Sequence, residues 1–237
     1  MGSQALTLCA AILLLGCSRA EPQQVTLPPA PALPPAATAF LLSTGGYNLI
    51  LDFETGGRSG YDPHPEWPGG ASGVTIGVGY DLGYYSPTVI LHDWNEITPT
   101  ANCARLARVS GKTGQRAHTL LSSVVDIYVQ WEIATRVFNN VDVAREFANA
   151  KRAMPGFEEL RPNAEAALIS LGFNRGWSFI GDNRREMRDI RDDGVPHRDY
   201  ERIAFDLRKM ERVWRGTSIE RGMVRRREAE AKLVLTP

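Results

Sequence analysis

Apolar residues follow two different periods along this chain. Between residues 73 and 81 they alternate, with Val74, Ile76, Val78 and Tyr80 on one side and Gly73, Thr75, Gly77, Gly79 and Asp81 on the other. That is the signature of a β-strand. Elsewhere steps of three and four dominate. Leu49, Ile50 and Phe53 form one helical stripe, and Gly56-Gly57 supplies a stop that places Glu54 in the last turn. Leu120, Leu121, Val124, Val125, Tyr128 and Trp131 also recur at helical spacing. A further helix is expected from about Asn163 to Phe173, behind Pro162, and two more over about 198–214 and 220–235. Residues 58–72, with Pro63, Pro65, Pro68 and several glycines, read as a structured loop. The pattern predicts an α+β domain, mostly helical with a small early sheet.

The alternating segment carries a geometric constraint. Drawn out straight, it would separate Thr75 from Asp81 by about 20 Å, at a rise of about 3.3 Å per residue. If the chain reverses at Gly77-Val78-Gly79, where glycine accepts positive φ, the two residues face each other at about 5 Å. Joint chemistry at Thr75 and Asp81 requires the hairpin, so a hairpin is expected.

Composition adds bounds. The chain has 237 residues, of which 43% are apolar and 23% charged, with Lys plus Arg balancing Asp plus Glu at 27 each. Balanced charge provides no field to gather nucleic acid, and none is expected as a partner. Residues 5–16 form an apolar run of signal-peptide length, too short to span a bilayer, although residues 1–4 lack the usual Lys or Arg. Leu14-Leu15-Gly16-Cys17-Ser18 is similar to the lipobox of bacterial lipoproteins. The expected organisation is a leader over 1–16, lipidated Cys17 followed by a Pro/Ala-rich tether to residue 37, and a folded domain over 38–237. That implies export and anchoring in the cell envelope, with Ser18 pointing to the periplasmic face of the outer membrane. Cleavage would leave Cys103 as a lone thiol with no disulfide partner. The histidines at 64, 92, 118 and 197 are scattered, so neither a metal site nor a cofactor is expected. Arg225-Arg226-Arg227, interleaved with Glu220, Glu228 and Glu230, reads as a charge-laced surface helix.

The candidate chemistry is cleavage of a glycosidic bond, which needs a protonated acid at the leaving oxygen and a second group that activates water or attacks the sugar. Glu54, beside Phe53 and at a helix C-terminus, suits the acid, because desolvation and the helix dipole both disfavour its charge. Asp81, in a glycine-lined polar pocket, suits the ionised partner, with the Thr75 hydroxyl fixing the water. Asp62 is the second choice for that role and Glu66 the third. Trp67 is a candidate for stacking on a sugar face, and Asn174 for bonding an acetamido group.

The segment Thr75-Ile76-Gly77-Val78-Gly79-Tyr80 behind a glutamate resembles the phage-type lysozymes, glycoside hydrolase family 24 in its broad sense. Glu54, Thr75 and Asp81 with Trp67-Pro68-Gly69-Gly70 between them most resemble the pesticin-like muramidases. The likeness extends to residues 167–176, to Trp214 and to residues 222–230. It implies a lysozyme-like fold with a small hairpin lobe and a helical lobe, and a monomer that cuts the β-1,4 bond between N-acetylmuramic acid and N-acetylglucosamine in peptidoglycan strands. Tyr80 stands where many phage enzymes carry a histidine, and is grouped with Trp67 and Asn174 as substrate-binding. The alternatives are a lytic transglycosylase and a non-catalytic, wall-binding envelope lipoprotein.

Overall fold

The computed structural model describes residues 42–237; the segments expected to be a leader and a proline-rich tether, Cys17 and residues 38–41 lie outside the described residues. The first helix, α1 (Thr44–Thr55), begins at Ser43, whose hydroxyl accepts from the Gly46 N–H at 3.1 Å. It ends at Gly56, where φ of 71° turns the chain left-handed and the N–H closes back on the carbonyls of Asp52 and Leu51. Glu54 therefore sits in the last turn.

The sheet is two-stranded and antiparallel. β1 (Thr75–Ile76) and β2 (Tyr80–Asp81) pair Thr75 with Asp81 and Ile76 with Tyr80, the register that joint chemistry demanded. The reversal uses positive φ at Gly77 and Gly79, 61° and 76°. Val74, Ile76, Val78 and Tyr80 are all buried, so the alternating apolar set faces the core on both arms. Glu66 adds an outer bridge to Thr75, donating to its carbonyl at 3.0 Å and accepting from its N–H at 2.8 Å. Thr75 is thus the middle of three neighbouring chain segments.

The remainder is helical: α2 (Pro87–Asp93), α3 (Thr100–Arg108), α4 (Gln115–Leu121), α5 (Trp131–Val137), α6 (Ala144–Ala153), α7 (Pro162–Arg175), α8 (Arg185–Asp189), α9 (Val195–His197), α10 (Tyr200–Lys209) and α11 (Glu220–Leu235). A π-helical turn, Phe138–Val143, joins α5 to α6. This is an α+β molecule, mostly helical with one small sheet. None of its described helices is long and apolar enough to cross a membrane.

Two helical expectations need correction. The stripe from Leu120 to Trp131 is not one helix: α4 stops at Leu121 and α5 starts at Trp131. Residues 122–126 between them run in turns, and tertiary bonds claim the backbone that follows. Val129 donates to the Pro63 carbonyl at 2.8 Å and accepts from the Tyr61 hydroxyl at 2.8 Å. The helix expected over 198–214 is shorter, with Asp199 capping α10 and a 3-10 turn replacing its end at Met210–Trp214.

Packing centres on α7. Residues Ala164 and Ala166 to Leu171 are wholly buried, so this helix is covered on all sides. Each fully buried Leu or Ile here contributes about 1.5–3 kcal/mol. Helix α1 lies against α7 so closely that a methyl group built on Gly46 would come within 2.1 Å of the Ala166 Cβ. One built on Gly45 would lie 3.2 Å from Leu233 of α11. This packing fixes where Glu54 emerges.

Candidate active site

A groove of about 240 Å³ runs between the end of α1, the hairpin and the end of α7. Glu54, Thr75 and Asp81 all line it, joined by Asp62, Glu66 and Asn174. Glu54 approaches the hairpin turn itself, since a methyl group built on Gly79 would lie 3.8 Å from its Oε2. The acid candidate and the hairpin pair therefore face one space.

Arg226, read from the sequence as a surface residue, stands beside Glu54. Its side chain is only 4% exposed, and its Nη2 lies 2.8 Å from Glu54 Oε1. The approach is out of line for a hydrogen bond, and Oε1 has no aligned donor among the described residues, so the attraction is Coulombic. Phe53 does not supply the expected apolar footing. Its ring lies under two guanidinium groups, Arg225 at 5.1 Å and Arg226 at 5.3 Å. The setting of Glu54 is cationic on one side.

Behind Arg226 lies a buried polar layer. Glu230 is fully buried, and its Oε1 accepts from Ser170 at 2.6 Å, from Arg227 at 2.9 Å and from Arg226 at 3.2 Å. Arg226 also donates to the Ser170 carbonyl at 2.9 Å, and Arg227 donates to Asn174 Oδ1 at 3.2 Å. Burial pushes the Arg227 guanidinium down to about 10; Glu230 pulls it back up and Arg226 depresses it further. Asn174 therefore has its carbonyl oxygen occupied, while its side chain still reaches the groove. The surface-helix reading of residues 225–227 is corrected for Arg226 and Arg227. One signal could have exposed it: Met223, Arg226, Arg227, Glu230 and Val234 share a single stripe of α11, and Met223 and Val234 are apolar.

The hairpin wall is built differently. Asp81 Oδ1 accepts from the Gly73 N–H at 3.0 Å and the Gly83 N–H at 2.8 Å, and Oδ2 accepts from the same Gly73 N–H at 2.9 Å. The fit requires glycine, because a methyl group on Gly73 would fall 2.2 Å from Asp81 Oδ1. Burial raises the Asp81 carboxyl above the ordinary aspartate range, against the opposing pull of the two amides. Thr75 is 9% exposed and lines the groove.

Two residues expected at the substrate do not line the groove. Tyr80 is 2% exposed, its hydroxyl donates to Asp93 Oδ2 at 2.8 Å, and its ring packs on Tyr85 and Trp94. It braces the hairpin from behind, as its place in the apolar alternation requires. Trp67 donates from Nε1 to the Ser72 carbonyl at 3.0 Å and packs on His118, while its neighbour Pro68 takes the groove position. Asp62 is exposed and accepts from the His64 N–H at 2.9 Å, pinning its own loop. Cys103 is buried beside the carbonyls of Ile90 and Leu91, far from a nucleophile's setting, and burial raises its thiol.

Residues 51–154 match a family described as a domain of unknown function (DUF8812). That stretch holds Glu54, Thr75 and Asp81 but not Asn174 or Arg226. No curated protein matches the chain.

Proposed function

We propose that this chain is a peptidoglycan hydrolase of the lysozyme type, an N-acetylmuramidase with a lysozyme-like fold. The observation that carries the reading is that Glu54, from a helix end, and Thr75 with Asp81, from a hairpin, line one groove. Arg226 holds Glu54 Oε1, so Oε2, the oxygen nearer the hairpin turn, is the one that delivers the proton to the leaving glycosidic oxygen. A sugar strand that fills the groove expels water and brings its leaving oxygen to that proton donor. Asp81, with its orientation set by two backbone amides, and the Thr75 hydroxyl position the water for attack on the anomeric carbon. The substrate is the glycan strand of the wall, and the lipobox-like Cys17 would tether the enzyme to the envelope near it.

One observation favours a second reading, a lytic transglycosylase. The backbone bonds to Asp81 occupy both of its oxygens, leaving Glu54 as the carboxylate at the hairpin turn without such pins. In that chemistry a hydroxyl of the same sugar attacks and no water enters.

The test is digestion of purified peptidoglycan followed by mass spectrometry of the soluble fragments. Fragments with a reducing muramic acid end, lost on Glu54→Gln, support the hydrolase. 1,6-Anhydro ends lost on the same substitution move the assignment to the transglycosylase. Sedimentation with walls and no released fragments rejects both in favour of a wall-binding module.

A further inference from the structure

The groove continues past the hairpin turn. Gly79 and Phe173 line it on one side and, on the other, a second cavity of about 460 Å³. Asp142, Arg145 and Glu146 form its polar wall and Tyr84 and Tyr85 its aromatic one. This cavity belongs to neither candidate mechanism.

Its charges do not balance. Asp142 comes from the π-helical turn; its side chain is nine-tenths buried, and Oδ1 accepts from Arg145 Nη1 at 3.1 Å. Among the described residues, Oδ2 accepts no hydrogen bond. Glu146, one turn later, accepts from the neutral donors Trp177 Nε1 at 2.6 Å and Asn149 Nδ2 at 3.2 Å. Arg145 is the guanidinium in contact with Asp142, and Asp93 Oδ2 also draws on it at 3.4 Å. Its Nη1 donates to the Tyr85 hydroxyl at 2.7 Å, and its guanidinium stacks 4.4 Å over that ring. Asp142 and Asp93 thus share Arg145, with the exposed His92 also 3.0 Å from Asp93 Oδ1, while the bonds to Glu146 come from neutral groups. The last turn of α7, through Gly172 and Phe173, adds the negative end of a 14-residue helix to the same wall. Tyr84 is 69% exposed and presents an aromatic face at the cavity, a surface that attracts cations. Burial pushes the Asp142 carboxyl up to about 8, with Arg145 pulling it back down and Asp93 and Glu146 adding to the rise.

We propose that this second cavity is a subsite for a primary ammonium group, the side-chain amine of a diamino acid in a peptide attached to the glycan, held by Asp142 and Glu146 and flanked by Tyr84. It rests on the reading of the main groove as a peptidoglycan cleft. It makes the protein selective for strands that still carry stem peptides with free amines.

The test compares wall digestion before and after the free amines are blocked with acetic anhydride. The unaltered protein should digest the acetylated wall about tenfold more slowly, equivalent to about 1.4 kcal/mol. The double variant Asp142→Asn, Glu146→Gln should shrink that preference to about twofold or less. Tyr84→Ala, a change at an exposed site that leaves the core untouched, should halve it and serves if the double variant does not fold. Equal rates on both walls, or an undiminished preference in the folded variants, would overturn the proposal. Calorimetric titration with soluble alanyl-glutamyl-lysine, with its lysine amine free or acetylated, separates this site from the groove. Binding of the free-amine form alone, in a protein that cuts no glycan, keeps the subsite and rejects the hydrolase; glycan cleavage without amine discrimination does the reverse.

Discussion

The two walls of the groove hold their carboxylates by opposite means. On the hairpin wall Asp81 is fixed by main-chain N–H groups, those of Gly73 and Gly83, eight and two residues away. On the helical wall Glu54 is met by the side chain of Arg226, which is itself anchored to Glu230 and Ser170. Backbone anchoring comes with the fold of a short segment and resists change at any single side chain except the glycines. Side-chain anchoring depends on distant helices arriving in register, and a single substitution can remove it. The hairpin wall is therefore a local device and the helical wall a tertiary one.

Four measurements probe that contrast, in order of expected effect. Glu54→Gln should lower the rate of wall digestion by about 10²- to 10⁴-fold, the usual contribution of a general acid, with the melting temperature preserved. A retained rate would leave the helical wall without a catalytic role. Arg226→Met strips the counter-charge from a buried layer that includes Glu230, and should cost about 3–5 kcal/mol in urea unfolding, as breaking a buried pair does. A loss under about 1 kcal/mol would mean that packing and not charge holds this wall. Asp81→Asn keeps the shape of the hairpin wall but weakens the bonds accepted from Gly73, at about 1.5 kcal/mol by the same assay. If it proved as damaging as Arg226→Met, the distinction between the walls would fail.

The fourth measurement uses pH. Asp142 has its carboxyl raised from 3.8 to about 8, so the folded state binds this proton more tightly than the unfolded chain does. Its contribution to stability is fully present below about pH 4 and is lost as pH rises toward 8. Asp142→Asn cannot ionise, so its melting temperature should gain on that of the unaltered protein across this window. A difference that stays flat from pH 4 to 8 would remove the claim that burial raises the Asp142 carboxyl.

The sequence by itself determined the local pieces of this protein. Alternation over residues 73–81, broken by glycines able to take positive φ, was enough to specify the hairpin and the pairing of Thr75 with Asp81. Helix periodicity and the Gly56 stop were enough to place Glu54 in a last turn, and the span of α11 was legible at both ends. Period and turn chemistry act between near neighbours, which is why one chain suffices to read them. Only the tertiary structure decided which faces would be covered. Tyr80 looked like a groove residue and Arg226 like a surface one, and burial reversed both: the apolar arm of the hairpin turned inward, and α11 docked with its charged stripe against α7. A buried arginine is paid for by partners such as Ser170 and Glu54, which lie far from it along the chain. No local period records that compensation, because it exists only once the helices have met.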